Sequence, residues 1–402
     1  MVKPDESTEE SKKPSARRLL RPADLPENFT RSLYKIAPYR GCAHGCRYCD
    51  GRAERYYVEG DFEKDLVIRY DIPYRLEMEL PTVRERGMIA FGSGVTDPYQ
   101  AMEGSCRITG ACARLLAEAR KALPALVMTK SSLALRDLSL WDKVNQRSGL
   151  VLLVSLTSLD EELRECMEPG ASSFAARLEM IRSFKKAGCR VGVLAMPLLP
   201  GLSDSEESIH ALYSACAELG VDFVMPGGLT LRPGRQKDFY LAALRSKRPG
   251  ALQLTESLYR EDRPSGAAIA QATRELNARI APIRREYAMP FLLPHRSFAS
   301  ILPPHDSLRL LFRDMLELYS ERDIDTLLLA KSAAAYDSWL VGLRRNFRRR
   351  RSLPDDWIEE RFAEASADGE LERLLANARL AQFAKAVLED GARLDYLTLK
   401  LN

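Results

Sequence analysis

Cys42, Cys46 and Cys49 crowd into one short run, Gly41-Cys-Ala-His-Gly-Cys-Arg-Tyr-Cys-Asp50, spaced CxxxCxxC directly after the apolar stretch Leu33-Tyr-Lys-Ile-Ala37. Three thiolates can hold three irons of a cubane [4Fe–4S] cluster and leave the fourth iron without a protein ligand. Such an iron is open to chelation by a small molecule, unlike the irons of an electron carrier sealed by four thiolates. A structural zinc ion is the competing occupant, and its fourth ligand would be His44 or a distant residue. Zinc sites usually present paired CxxC or HxxxH halves, and no second half occurs in this chain. Three thiols also leave one over in any disulfide pairing. The spacing favours an iron–sulfur site.

Other residues able to do chemistry follow later apolar runs. Gly92-Ser-Gly-Val-Thr-Asp-Pro-Tyr99 brings two glycines that let backbone approach a ligand closely. Thr96 and Asp97 add a hydroxyl and a carboxylate, the latter suited to an ammonium group. The plainer alternative is a turn in which Asp97 caps a local amide. Lys130, in Thr129-Lys-Ser-Ser132, can pair with a carboxylate, and Ser155 lies within Val-Ser-Leu-Thr157. The loop Pro197-Leu-Leu-Pro-Gly-Leu-Ser-Asp204 is rich in turn residues. Each is readable alone as a surface lysine, a half-buried strand hydroxyl or a simple turn. Their common place at the ends of successive apolar runs connects them.

Those runs, at 33–37, 88–91, 126–129, 150–156, 191–196 and 223–225, read as strands that are apolar throughout. Amphipathic stretches at 73–86, 106–122, 135–145, 173–187 and 203–219 read as helices between them. Gly188 and Gly220 stand at C-cap positions, and Ser203 and Asp204 at an N-cap. Strands of this kind alternating with helices predict an α/β fold, a parallel sheet covered by helices and curled into a full or partial barrel. In such folds the chemistry gathers at the C-terminal ends of the strands. Residues 1–27, polar and charged, read as a disordered arm, 28–246 as the α/β core and 247–402 as a helical accessory domain. Its helices are expected at 308–319, 324–345 and 357–389, the last broken near Gly369.

The 402 residues are 46% apolar and 29% charged, ordinary for a globular chain with a sizeable core. A formal charge of +4 neither requires nor excludes nucleic acid. The start, Met1-Val-Lys-Pro-Asp-Glu-Ser, has no apolar signal core, and no apolar run approaches a membrane span. Eight cysteines without a secretory signal point to a reducing, cytoplasmic location and no membrane partner. The five cysteines outside the loop are expected in packing roles, with Cys106 nearest the second-strand loop. Arg344-Arg-Asn-Phe-Arg-Arg-Arg-Arg351 reads either as a phosphate-binding patch or as a solvated helix end.

The ordered set Pro38–Cys49, Thr96–Tyr99, Thr129–Ser131, Glu168-Pro169 and Pro197–Asp204 resembles the radical S-adenosylmethionine (SAM) superfamily. Within it, the set is similar to the spore photoproduct lyase-like branch, also labelled "DNA repair photolyase". The likeness covers residues 34–232 and implies a partial (β/α)6 parallel barrel. It implies that Cys42, Cys46 and Cys49 ligate a [4Fe–4S] cluster and that SAM is the second cofactor. It places Tyr48 near the adenine, Thr96 and Asp97 near the SAM amino group, and Lys130 and Ser155 near its carboxylate. A one-electron reductant of flavodoxin or ferredoxin type would reduce the cluster. SAM would then split into methionine and a 5′-deoxyadenosyl radical that takes hydrogen from a substrate, macromolecular (nucleic acid or protein) by this reading.

Two departures matter. The lyases of that branch carry a hydrogen-donating cysteine three residues before the second-strand Asp, where this chain has Gly94. They carry tyrosine directly after the last cluster cysteine, where this chain has Asp50. Thymine-dimer reversal by that relay is therefore not expected, and no residue is assigned to the step on substrate. The competing function is a non-enzymatic, metal-stabilised protein that binds nucleic acid through its basic helical half.

Overall fold

A computed structural model of the chain describes residues 17–56, 60–92 and 94–402. Six strands, β1 (Ser32–Ile36), β2 (Met88–Phe91), β3 (Ala125–Thr129), β4 (Leu150–Ser155), β5 (Arg190–Leu198) and β6 (Phe223–Gly228), form one sheet in chain order. Every neighbouring pair is parallel, in registers such as Ile36↔Phe91, Phe91↔Val127, Thr129↔Val154 and Ser155↔Leu194. β1 and β6 are the two edges, so the barrel is open. This is the partial parallel barrel expected, with all six strands within three residues of their expected ends.

All residues of β2, β3 and β4 are buried because both sheet faces are covered. Side chains alternate between the faces. Ile89, Phe91, Val127, Leu152 and Val154 pack outward under the helices, whereas Met88, Ala90, Leu126, Met128 and Leu153 fill the interior. The outer coat consists of α1 (Ile72–Glu79), α2 (Ile108–Glu118), α3 (Leu138–Arg147), α4 (Glu161–Met167), α5 (Phe174–Lys186) and α6 (Glu206–Glu218). α1 stops well short of the expected residue 86 because Pro81 permits only a single 3-10 turn beyond it. α6 is capped by Ser205, whose hydroxyl accepts from Ser208 N, and not by Ser203 or Asp204. Those two hold the preceding turn, accepting from Leu199 N and Gly201 N.

Beyond β6 the chain adds α7 (Arg235–Lys247), α8 (Leu252–Leu258) and α9 (Ala270–Glu286), none of which the apolar pattern had revealed. Ile280, Ile283 and Met289 join the outer core of the barrel, so its coat continues past residue 247. A separate helical core gathers around α10 (Pro304–Ser320), α11 (Leu327–Arg349), α12 (Trp357–Ala367), α13 (Glu370–Leu375) and α14 (Ala378–Leu388). Gly369, at φ +76°, makes the expected break between α12 and α13. This region also stoppers the barrel. Arg31 before β1 lies over the Phe298 ring, Gly149 before β4 abuts Ile301, and Arg190 at the start of β5 reaches Ser300. With Leu293, Phe298, Leu302 and Leu310 filling the interior from the N-terminal end, the C-terminal end is left for a site.

Two expectations change. Part of the arm is packed: Leu19 N and Leu20 N donate to the Glu79 carboxylate at 2.8 and 2.9 Å, and Leu20 is buried. Residues 1–16 lie outside the described residues. The basic block is partly a latch. Arg344 is buried between Glu85 and Asp306 at 3.1 and 2.6 Å, and Arg348 pairs with Glu85 and Asp24 at 2.6 and 2.9 Å. Among the described residues, no helix is long and apolar enough to cross a membrane.

Candidate active site

The cysteine loop leaves β1 through a short antiparallel pair, Tyr39–Arg40 with Val67–Ile68. Gly41 turns the chain at φ +78°, where a side chain would lie 2.9 Å from Phe62 O. Gly41 O accepts from Thr96 Oγ1 at 2.8 Å and Gln100 Nε2 at 3.3 Å, while Ala43 N donates to Gln100 Oε1 at 2.8 Å. Cys42 N donates to Phe62 O and Arg47 N to Met167 O. Gly170 fits because a Cβ there would lie 2.4 Å from Ala43 O. The loop is thus bonded to three other stretches of chain, at residue 62, 96–100 and 167–170.

Cys42, Cys46 and Cys49 all line one cavity of about 250 Å³ at the C-terminal mouth of the barrel. None of the chain's cysteines is paired in a disulfide. Burial pushes all three thiols up, so without a cation they stay protonated. A metal cluster supplies the charge that reverses this. His44, the in-loop candidate for a fourth ligand, is turned to other work. Its Nδ1 lies 3.0 Å from Gly170 O and its Nε2 3.1 Å from Asp97 Oδ2, the latter approach off the line of an aligned hydrogen bond. Among the described residues, no three of His, Cys, Asp and Glu converge on a single-ion site. Thiols spread around a cavity suit the separate irons of a cubane better than one zinc.

The five residues expected around SAM, Tyr48, Thr96, Asp97, Lys130 and Ser155, line the same cavity. Two have their polar atoms committed to protein. Thr96 holds Gly41 O. Asp97 Oδ1 accepts from Tyr99 N and Thr129 Oγ1, and Oδ2 from Lys130 N, all at 2.8 Å, with His44 as the fourth neighbour. Asp97 thus has three of a carboxylate's about four acceptor positions filled by the protein, with His44 Nε2 facing the fourth without an aligned bond. It is the post on which the cysteine loop and the ends of β2 and β3 hang. Burial alone would raise its carboxyl, but His44 and the backbone donors outweigh that and hold it low.

Glu168 anchors the opposite wall. Buried at 1% exposure, it accepts from the Tyr48 hydroxyl, from Thr157 Oγ1 at 3.2 Å and from Arg177, with Lys130 Nζ at 3.5 Å. Burial opposes its charge, yet Lys130 and Arg177 hold the carboxyl well below the usual range. Arg177 also donates to Ser155 O at 3.0 Å, fixing the end of β4. Lys130 Nζ also lies 5.6 Å from the centre of the Tyr48 ring, and Lys130, Ser155 and Tyr48 all line the cavity. Met128, Leu194, Met196 and Leu229 make the rest of the wall apolar.

Asp50 meets Arg232 in an ion pair beside the cavity, and Gly94 lies open to it. No heavy atom comes within 4 Å of a Cβ built on Gly94. Gly94→Cys is therefore expected to change stability by less than about 0.5 kcal/mol. Its thiol should alkylate in the folded protein while Cys112 and Cys216 stay protected. Mass spectrometry of the labelled protein checks this, and a thiol that reacts only in denaturant would place position 94 away from the cavity.

Sequence reading missed Gln100, Arg177 and Gln236 and gave Glu168 no role. The one available signal was the Glu168-Pro169 pair after β4; the loop atoms that Gln100 and Gln236 meet, on Gly41, Ala43 and Tyr48, lie far away in sequence. A family model described as the radical SAM superfamily matches residues 36–212. Uncharacterized proteins of Mycobacterium bovis and Mycobacterium tuberculosis are 32% identical over 263 residues, 64% of this chain and 75% of theirs. Among solved structures, a spore photoproduct lyase variant with bound AdoMet and dinucleoside spore photoproduct superposes with a TM-score of 0.50. It is 17% identical, covering 67% of this chain and 78% of that one.

Proposed function

The chain belongs to the radical SAM superfamily, whose members use a [4Fe–4S] cluster and SAM, and from that premise we propose that it is an enzyme in which Cys42, Cys46 and Cys49 hold the cluster at the barrel mouth. The observation that carries this is the placement of His44. With Nδ1 on Gly170 O and Nε2 facing the Asp97 carboxylate, the loop offers three thiols and no fourth ligand, which leaves one iron for SAM. When bound, the reduced cluster and SAM supply a 5′-deoxyadenosyl radical that takes a hydrogen atom from substrate.

The chain's own residues bind, orient and shield. Lys130, the ammonium at the cavity, and Ser155 are assigned to the SAM carboxylate, and the Tyr48 ring to the adenine. Thr96 and Asp97 hold the loop in place and do not contact SAM. The apolar wall, with the buried thiols of Cys42 and Cys46, keeps water from the reacting atoms. The missing thiol at Gly94 and phenol at Asp50 direct the proposal away from photoproduct reversal and toward another hydrogen abstraction, on nucleic acid or protein. A one-electron reductant of flavodoxin or ferredoxin type is the proposed partner.

Anaerobic reconstitution should give a brown protein with about four irons and four sulfides per chain. Cys46→Ala should lose that content. With SAM and a reductant, 5′-deoxyadenosine should accumulate, and deuterated nucleic acid or deuterated protein fraction should pass label into it. Stoichiometric zinc in a colourless protein with no affinity for SAM would sink the proposal.

A further inference from the structure

Cys49 is the one partly exposed thiol of the three, and the residues on both sides of it are held from outside the barrel. α7 follows β6, beyond the residues 36–212 matched by the superfamily model. Its Gln236 is fully buried. Gln236 Oε1 accepts from Arg232 N at 2.9 Å, while Nε2 donates to Thr230 O at 2.7 Å and to Tyr48 O at 3.1 Å. Tyr48 is thereby tied on one side of Cys49, and on the other Asp50 is paired with Arg232. One turn along α7, the Phe239 ring lies 3.8 Å from the Arg52 guanidinium carbon and 5.5 Å from that of Arg47. Arg52 Nε in turn donates to Cys46 O at 3.1 Å. At the start of α7, Arg235 N donates to Glu54 Oε1 at 2.8 Å.

A buried amide is costly unless its polar atoms are bonded. If α7 needed only packing here, leucine would serve. The three bonds of Gln236 instead join the loop to the segment leaving β6. We propose that α7 is a clamp on the cysteine loop and that Gln236 is its positioning residue, fixing Cys49 so that the cluster is retained. This rests on the proposed function for what the thiols hold. The placement of Cys49 can be read without it.

Gln236→Leu keeps the volume and removes all three bonds. Gln236→Glu turns a carboxylate oxygen toward the carbonyls of Tyr48 and Thr230. In the full-length protein without metal, alkylation of Cys49, followed site by site by mass spectrometry, should accelerate about tenfold in both variants. The rates at Cys112 and Cys216 should stay at the wild-type level. In the reconstituted holoenzyme, transfer of iron to a chelator should accelerate by a similar factor. Leu212→Ala, which loosens the outer core from α6, provides the comparison for general destabilisation: it should lower Tm without accelerating either process. Unchanged Cys49 alkylation in the Gln236 variants overturns the clamp. So does equal acceleration in Leu212→Ala. A wild-type protein that takes up no cluster would count against the proposed function, while the alkylation result would still decide on the clamp.

Discussion

Arg344→Ala is expected to destabilise the protein by about 3–5 kcal/mol, because it removes the cation from a buried charge cluster and leaves its anions behind. Arg344 is 0% exposed; its Nε donates to Glu85 and its Nη2 to Asp306, both buried. Glu85 precedes β2, Asp306 lies on α10 and Arg344 on α11, so one guanidinium ties the barrel to the helical core. Arg348 reinforces Glu85 from the next turn but does not reach Asp306. Thermal denaturation should show a Tm lower by about 5 °C. Arg349→Ala and Arg350→Ala, on exposed residues, should stay within about 0.5 kcal/mol. If the block worked as a phosphate patch throughout, the ranking would reverse. Arg344→Ala would then leave Tm in place and weaken nucleic-acid binding in a salt-dependent manner.

The same residues show why sequence carries some of this structure and not the rest. β2, β3 and β4 were legible because strands covered on both faces are apolar almost throughout, and the shortness of these runs separates them from buried helix. The cysteine loop was legible because its spacing is local. Arg344 was not, since a run of arginines looks the same whether its partners are water, phosphate or carboxylates 259 and 38 residues away. α7 escaped notice for a related reason. Its inward face is a mixture of Gln236, Tyr240 and Leu244, and the glutamine is buried only because the carbonyls of Tyr48 and Thr230 come to meet it.

Position in the sequence placed all eight expected site residues on one cavity, because parallel strands bring their C-terminal ends together. What each residue does there depends on how many hydrogen-bond partners the protein itself supplies. Tyr48, Lys130 and Glu168 form one connected group, to which Lys130 brings the cation at the cavity. Thr96 is spent on Gly41 O. The departures at Gly94 and Asp50 acquire different meanings as well. Gly94 leaves open space at the cavity, whereas Asp50 fills its place with an ion pair to a segment outside the barrel.

Asp97→Asn separates the two roles available to that carboxylate. An amide has one oxygen and one NH2 group, so whichever way it turns, the NH2 faces a backbone N–H that can only donate, that of Tyr99 or that of Lys130. Breaking a buried charged network of this kind costs about 3–5 kcal/mol. The cost falls on the contact between His44 and the strand ends, so the cysteine loop should loosen before the barrel does. Reconstituted Asp97→Asn is accordingly expected to hold well under half of the about four irons of the parent, with its SAM affinity lost along with the cluster. A carboxylate that served the SAM amino group instead would give the opposite division. Iron would stay near four, Tm would stay near the parent value, and only the concentration of SAM needed for half-saturation would rise. Iron content and SAM binding measured on one preparation decide between them. The three donors and the neighbouring His44 around Asp97 point to loss of iron.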